Sequence, residues 1–300
     1  MFDREFTIVV YNRPQVILWL KRAPRYLPFF AQALKQAGLP DDLKYLPVIE
    51  SSLLEDVHSR AGAAGLWQFI KHTGIRFGLR INHVIDERLD PRAATRAAIR
   101  YLSFLHQEFG NWSLALAAYN CGEQRVAKEL ARQRAKTYFQ LCLPRESERY
   151  IYRLAAIKQL MTEPRKYGFD LPQDQLYRPL PNRRVTLDLK AAYAITDFTA
   201  AWGCSYHTLK KLNLHLISDR LPKGRFNLVL PAGSRLDPQK ILARLKPLPP
   251  AAGPRFYRVK GGDTLGAISR RFHIPTARLR RLNQLKNDTI YSGQRLRLQK

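Results

Sequence analysis

Leu46-Pro-Val-Ile-Glu-Ser-Ser52, followed by Ser59-Arg-Ala-Gly-Ala-Ala-Gly-Leu-Trp-Gln-Phe69, is an apolar helical run that delivers an acid, then a turn of small residues ending on Trp67-Gln68. Pro47 is expected to bend the first segment. Most glutamates are solvated surface residues. Glu50 instead follows Val48 and Ile49, an apolar setting that raises a carboxyl pKa and keeps it protonated near neutrality, as a general acid requires. In the second segment the small residues let backbones approach closely, and Trp67-Gln68 sets an aromatic face beside an amide, a surface suited to a sugar. A packing turn around a core tryptophan fits the same residues equally well. Outward from these segments the chain reads as helices. Tyr26, Leu27, Phe30, Ala33, Leu34 and Ala37 recur at three- and four-residue steps up to Gly38, and a second helix runs from Pro40-Asp41 to Glu50. Asp90-Pro91 is an N-cap followed by proline at the first helical position, and that helix is expected to end at Gly110. Trp112 to Asn120, Gln124 to Ala135 and Glu146 to Met161 complete an all-helical domain ending near Phe169.

After Pro164 the texture changes. No Glu follows Glu163, and short β-like runs appear at Arg184-Val-Thr-Leu187 and Phe226-Asn-Leu-Val-Leu230. Lys246-Pro-Leu-Pro-Pro-Ala-Ala-Gly-Pro254 reads as a semi-rigid linker. The last residues predict a strand at Phe256-Tyr-Arg-Val259, a helix capped by Asp263 and carrying Leu265, Ile268 and Phe272, a second helix with Leu279 and Leu282, and a closing strand at Arg295 to Leu298. Residues 265–283 laid over 195–213 without a gap match Leu265, Ile268, Phe272, Leu279, Leu282 and Asn283 with Ile195, Phe198, Trp202, Leu209, Leu212 and Asn213. Two unrelated amphipathic helices would explain the apolar matches but not the shared Leu-Asn, so residues 182–232 read as a degenerate copy of the C-terminal unit. The expected organisation is a helical domain over 1–170, the copy over 182–232, a linker over 233–254 and the complete unit over 255–300.

With 300 residues and 45% apolar content, the chain fills real cores, and disorder throughout is excluded. Lys or Arg interrupts every apolar run before the roughly 20 residues of a membrane span, so the chain reads as soluble. Asp3 and Glu5 precede a short apolar run at the N-terminus, which does not read as an export signal. The formal charge of +27 favours polyanions of any kind: nucleic acid, anionic membrane or cell wall. Cys121, Cys142 and Cys204 form no C-x-x-C pair, so a zinc or redox motif is not expected. They read as small buried residues, with a Cys121–Cys142 bridge left open.

Five blocks in order then carry a resemblance. They are Ile49-Glu-Ser-Ser52, Ser59 to Phe69, Asp86-Glu-Arg-Leu-Asp-Pro91, Ala117-Ala-Tyr-Asn-Cys-Gly-Glu-Gln-Arg-Val126 and Leu143-Pro-Arg-Glu-Ser-Glu-Arg-Tyr150. Together they resemble the catalytic domain of the soluble-type lytic transglycosylases, a lysozyme-like fold, and most nearly its membrane-bound murein transglycosylase D-like branch. Cys121 stands where that family usually has Ala. Tyr257 to Leu265, with Ile268, Leu282-Asn283 and Ile290 to Leu296, resembles a LysM module. The resemblance implies a mainly α fold with a lysozyme-like catalytic domain, a degenerate LysM-like unit and a C-terminal βααβ LysM domain. It implies Glu50 as the catalytic acid, with Ser51, Gln68, Tyr119, Asn120, Glu146 and Tyr150 lining the glycan groove. Gly262, Asp263, Thr264, Leu265, Asn283 and Ile290 would bind glycan in the LysM, the 262–265 turn exposing backbone donors to acetamido groups. Glu55 and Asp56 fall outside the pattern and read as surface.

By that resemblance the partner is the peptidoglycan strand, the compartment is the periplasm or envelope, and the bond cut is the β-1,4 link from N-acetylmuramic acid to N-acetylglucosamine. The sugar's own 6-hydroxyl replaces the second carboxylate that ordinary glycosidases need, and neither cofactor nor metal is called for. Three other classes fit parts of the sequence. A goose-type lysozyme would hydrolyse the same bond with one acid. A non-catalytic wall-binding protein sits poorly with the intact Glu50-Ser51. A nucleic-acid binder rests on charge alone, since no zinc-finger spacing, RNP motif or basic heptad segment is present, and specific nucleic-acid binding is not expected. Residues 256–300 carry 11 basic residues against 2 acidic, which favours retention on wall carboxylates.

Overall fold

A computed structural model describes residues 1–233, 238–249, 255–272 and 274–299, and for Pro238 and Gln239 the backbone alone. The chain divides into two compact units, Met1–Leu245 and Lys246–Lys300. The proline-rich linker lies partly outside the described residues.

The first unit opens with α1 (Phe2–Tyr11) and α2 (Arg13–Gln36). The apolar steps from Tyr26 to Ala37 marked only the C-terminal half of the latter, which also contains Pro24 and Pro28. The helix runs through both, held by Val16, Trp19, Tyr26, Phe30 and Leu34 buried along one face. The helix expected over 40–50 is two pieces, a 3₁₀ turn at Asp41–Tyr45 and α3 (Leu46–Ser51). Pro47 therefore bends nothing: it sits in the first turn of α3, where its missing N–H costs no bond. α4 (Lys71–Arg76) follows the glycine-rich loop.

The Asp90 cap behaves as read, accepting from Arg92 N at 2.8 Å and Ala93 N at 3.2 Å to start α5 (Pro91–Phe109). Next come α6 (Trp112–Cys121), α7 (Glu123–Gln133) and α8 (Arg145–Thr162). In α6 all of Leu114 to Ala118 is buried, which makes it the central helix of the bundle. Ala94, Ala97 and Ala98 on α5 let the two helices pack closely. α8 packs on α1, α3 and α6, so the end of α6, the end of α3 and the start of α8 converge.

Within the same unit follow β1 (Asn182–Leu189), β2 (Tyr193–Ala194), α9 (Ile195–Trp202), α10 (Tyr206–Leu212), β3 (Arg220–Leu221), β4 (Gly224–Pro231) and α11 (Pro238–Leu242). β1 and β4 pair antiparallel from Asn182↔Pro231 to Leu189↔Gly224, and β2 pairs with β3. Alternation points Val185, Leu187 and Leu189 inward against Phe226, Leu228 and Leu230. Val84 and Ile85, from the loop before α5, belong to this same core. The two parts are also stitched by backbone: Asp86 N donates to His215 O at 2.8 Å and Ile217 N to Val84 O at 3.0 Å. A part-buried ion pair joins Arg184 on β1 to Asp90, both contacts at 3.1 Å.

The second unit has β5 (Phe256–Arg258), α12 (Leu265–Phe272), α13 (Thr276–Asn283) and β6 (Arg295–Arg297), with β5 and β6 antiparallel. Val259, Leu265, Ile268, Leu279, Leu296 and Leu298 form its core. α9 and α12 occupy matched positions in the gap-free overlay, as do α10 and α13. Asn213 and Asn283 explain the shared Leu-Asn. Asn213 Nδ2 donates to Leu209 O and Val229 O while its Oδ1 accepts from Val229 N; Asn283 does the same with Leu279 O, Arg297 O and Arg297 N.

Candidate active site

A cleft of about 710 Å³ opens where α3, α6 and α8 converge, and Glu50, Gln68, Tyr119, Asn120 and Glu146 are among the residues that line it. Glu50 is the next-to-last residue of α3, and the left-handed Ser52 (φ 54°) turns the chain away after it. Its Oε1 accepts a hydrogen bond from the Tyr150 hydroxyl. Burial raises its pKa to about 7, a rise opposed by the Tyr150 hydrogen bond and the Arg153 charge and helped by Glu146. The apolar setting read from Val48-Ile49 thus acts as expected.

Gln68 reaches the cleft from a strained backbone, φ 47°. Its Nε2 donates to Gly65 O at 2.8 Å and Val57 O at 3.2 Å, which fixes the amide's orientation. Behind it, Arg88 is buried in an ion pair with Asp86 (2.7 Å) and donates to Gly62 O and Phe69 O at 2.7 and 3.0 Å, clamping both ends of the glycine-rich loop. Gly65 (φ 76°) must be glycine, because a Cβ there would lie 2.0 Å from Arg88 O. Tyr119 and Asn120 arrive at the end of α6. The Tyr119 hydroxyl donates to Trp67 O at 2.7 Å, and Asn120 Oδ1 accepts from Ser147 Oγ at 2.6 Å.

Several expectations for the site are corrected. Ser51 does not line the groove: it is 4% exposed, and its Oγ donates to Pro47 O and Leu66 O, pinning α3 to the glycine-rich loop. Tyr150 is buried with its hydroxyl on Glu50, so it positions the acid rather than the glycan. The Trp67 indole is a core group, fully buried with Nε1 on Thr95 Oγ1 at 3.0 Å and its ring edge-on to Phe30, which decides for the packing turn over the sugar platform. Glu55 is not plain surface; it is half-buried and accepts from Tyr26 OH at 2.8 Å. The three cysteines are free, Cys142 exposed and the other two half-buried, so none is a fully buried filler and no bridge joins Cys121 to Cys142. Glu123 was missed. It lines the cleft but is held below the ordinary carboxylate range despite partial burial, because its own backbone, Arg76 (2.6 Å) and Tyr101 OH (3.1 Å) bond it. A Gly-Glu pair opening a helix next to Asn120 was the available signal.

In the second unit, Asp263 does not cap α12. Its carboxylate turns back to Lys260 N (2.8 Å) and Tyr257 OH (2.7 Å), and Thr264 Oγ1 accepts from Ala267 N instead. Leu265 is a core residue and Ile290 packs against that core. The Asn283 amide is spent on the strand, so neither Leu265 nor Asn283 offers its side chain to a glycan. Gly262 (φ 85°) remains at the turn.

Residues 28–141 match the transglycosylase SLT domain family and residues 257–299 the LysM domain family. The chain carries a transglycosylase SLT domain and a LysM domain. The expected fold class holds in its mainly α SLT domain and its C-terminal βααβ LysM domain. The chain is 30% identical over 294 residues to membrane-bound lytic murein transglycosylase D of Escherichia coli K12, covering 92% of this chain and 63% of that protein. It spans under two thirds of that relative's length. Against peptidoglycan transglycosylase gp16 of phage T7 it is 35% identical over 104 residues, 34% of this chain and 8% of the other. Among solved structures, the 70 kDa soluble lytic transglycosylase of E. coli aligns with a TM-score of 0.40 at 22% identity, over 51% of this chain and 27% of that one. Among the described residues the SLT domain has no helix long and apolar enough to cross a membrane.

Proposed function

We propose that the SLT domain cuts the β-1,4 bond between N-acetylmuramic acid and N-acetylglucosamine in peptidoglycan without water, leaving 1,6-anhydromuramoyl ends. The observation that carries this is a single carboxyl, Glu50, raised to about 7 in the cleft, while Glu123 elsewhere on the same cleft is held low and tied to Arg76. Protonated Glu50 gives its proton to the glycosidic oxygen as the C1–O bond breaks. The resulting carboxylate takes the proton of the muramoyl 6-hydroxyl as O6 bonds to C1. The Tyr150 hydrogen bond holds Glu50 for both transfers. Atoms balance without a water molecule, and an intramolecular hydroxyl has an effective molarity of up to about 10⁵–10⁸ M, enough to outcompete water once aligned. Gln68, Tyr119 and Asn120 would hold the sugar in that alignment, with Glu146 shaping the groove.

We assign residues 1–170 to the catalytic domain, 182–232 to a degenerate LysM-like unit, 233–254 to a linker and 255–300 to a LysM that holds glycan. The Gly262-Asp263-Thr264 turn would meet the sugar. The names of the relatives and the basic C-terminal unit support work on peptidoglycan in the cell envelope. Digestion of purified sacculi followed by mass analysis tests the reaction: anhydro products are lighter by one water than hydrolysed ones, and predominantly reducing ends would make this a lysozyme. Glu50→Gln should lower cutting by at least about 10²–10⁴-fold. The same variant should be more stable than the parent at pH 8. The raised folded pKa means Glu50 stabilises fully only below its unfolded pKa, and that contribution fades as pH rises from about 4.5 through about 7.

A further inference from the structure

The cleft wall does not end at Glu146. A second recess of about 310 Å³ is lined by Arg145, Glu146, Arg149, Tyr150 and Arg153, and Glu146 borders both cavities. Arg145, Arg149 and Arg153 stand four residues apart, so they form one stripe along α8. Tyr150, whose hydroxyl holds Glu50, lines the same recess. Arg149 is already engaged. Its guanidinium meets Glu5 at 2.6 and 3.0 Å, and Glu5, only 2% exposed, also pairs with Arg4 at 2.7 Å. Arg145 and Arg153 make no hydrogen bond or ion pair among the described residues.

Those two arginines lie about 12 Å apart along the helix at 1.5 Å per residue. Arg153 is near enough to Glu50 to oppose the rise in its pKa, so the recess opens beside the reacting acid. Of the charges facing it, Glu5 offsets Arg149 and Glu146 offsets one more, leaving a positive site. A guanidinium fork matches a carboxylate, and an uncharged sugar has no group that needs it. The one anionic part of a peptidoglycan strand next to the scissile bond is the peptide stem on the muramoyl residue.

We propose that Arg145 and Arg153 form a carboxylate subsite that grips the stem peptide beside the bond being cut, so that the chain favours peptide-bearing strands over strands stripped of their peptides. This rests on Glu50 being the lytic acid. The test compares the full chain with Arg145→Gln, Arg153→Gln and the double variant on intact sacculi and on amidase-stripped glycan whose freed lactyl carboxylates are capped as methylamides. Initial rates should favour the peptide-bearing substrate in the parent, and the preference should fall about tenfold for each arginine removed. Arg145→Gln is the cleaner variant, since Arg153 also acts on the Glu50 pKa. An unchanged preference in the double variant overturns the subsite. If the parent cuts neither substrate, the lytic role of Glu50 fails. Binding of soluble stemmed and stripped, capped oligosaccharides to Glu50→Gln, with and without both arginine changes, then still decides the subsite: equal loss for the two ligands refutes it, and selective loss for the stemmed ligand upholds it.

Discussion

The units at 182–232 and 255–299 share a skeleton but not a surface. Both close an αα pair onto a strand with one asparagine that makes three backbone hydrogen bonds, and their helices fall in one gap-free register. The segment that follows the second helix is where they part. After α10, His215, Leu216 and Ile217 lie along Val84, Ile85 and Asp86 of the helical domain, and Leu216 is buried. After α13 the corresponding stretch shows Gln284, Lys286, Asn287 and Asp288 exposed, and Tyr291 is 71% exposed. In the function proposed above the Gly262 turn meets the glycan, whereas in the upstream unit the segment after the second helix docks on the helical domain and the interior stitch is the same. Interior hydrogen bonds that satisfy buried backbone survive a change of use, because losing them costs the fold itself.

The largest test of this contrast is retention on sacculi, with Glu50→Gln in both proteins to prevent digestion. The full chain should sediment with the wall, and a chain ending at Leu245 should stay in solution. Retention of the shorter chain would mean that the upstream edge still binds. The 1–245 chain is a fairer probe than an isolated 182–232 piece, since Val84, Ile85 and Ile241 complete the upstream core.

The asparagines sharpen the contrast next. Asn213 is fully buried, so Asn213→Ala strands the Val229 N–H and two carbonyls and should cost about 2–3 kcal/mol in urea unfolding. Asn283 is half-buried and water can reach its partners, so Asn283→Ala should cost about 1 kcal/mol. Equal losses would argue that the two stitches are equally enclosed.

The smallest effect belongs to the docking ion pair. Arg184→Met should cost about 0.5 kcal/mol, because the arginine side chain is 29% exposed and screened by solvent and Asp90 keeps the two N–H groups it caps. Its partner holds the Asp90 carboxyl below its usual 3.8, against the opposing effect of burial. The pair's contribution is therefore complete above about 3.8 and lost as pH falls below it. The gap between parent and variant should close in thermal unfolding as pH drops below about 3.8; a gap that persists there would assign the loss to packing.

Much of this was legible beforehand where a residue type has one local use. Asp90-Pro91 and Gly110 marked both ends of α5, and the 195–213 overlay found two helix pairs and their asparagines. Side-chain direction was not legible. Ser51 shares a motif block with Glu50 and Tyr150 a block with Glu146, yet one pins a loop and the other holds Glu50, because the spacing in a motif does not say which side of the wall a residue faces. The N-terminal half of α2 was not legible either: the pattern began at Tyr26, and the helix continues back to Arg13 through Pro24 because five residues are buried along one face.

The contact at Gly65 gives the cleft wall a thickness of a single peptide plane. One side carries Gln68 toward the cleft; against the other lies the carbonyl of Arg88, whose neighbour Asp86 hangs from His215 of the upstream unit. The upstream unit is thereby wired into the shape of the cleft wall: a change along its 215–217 edge reaches the Gly65 turn through Asp86 and Arg88.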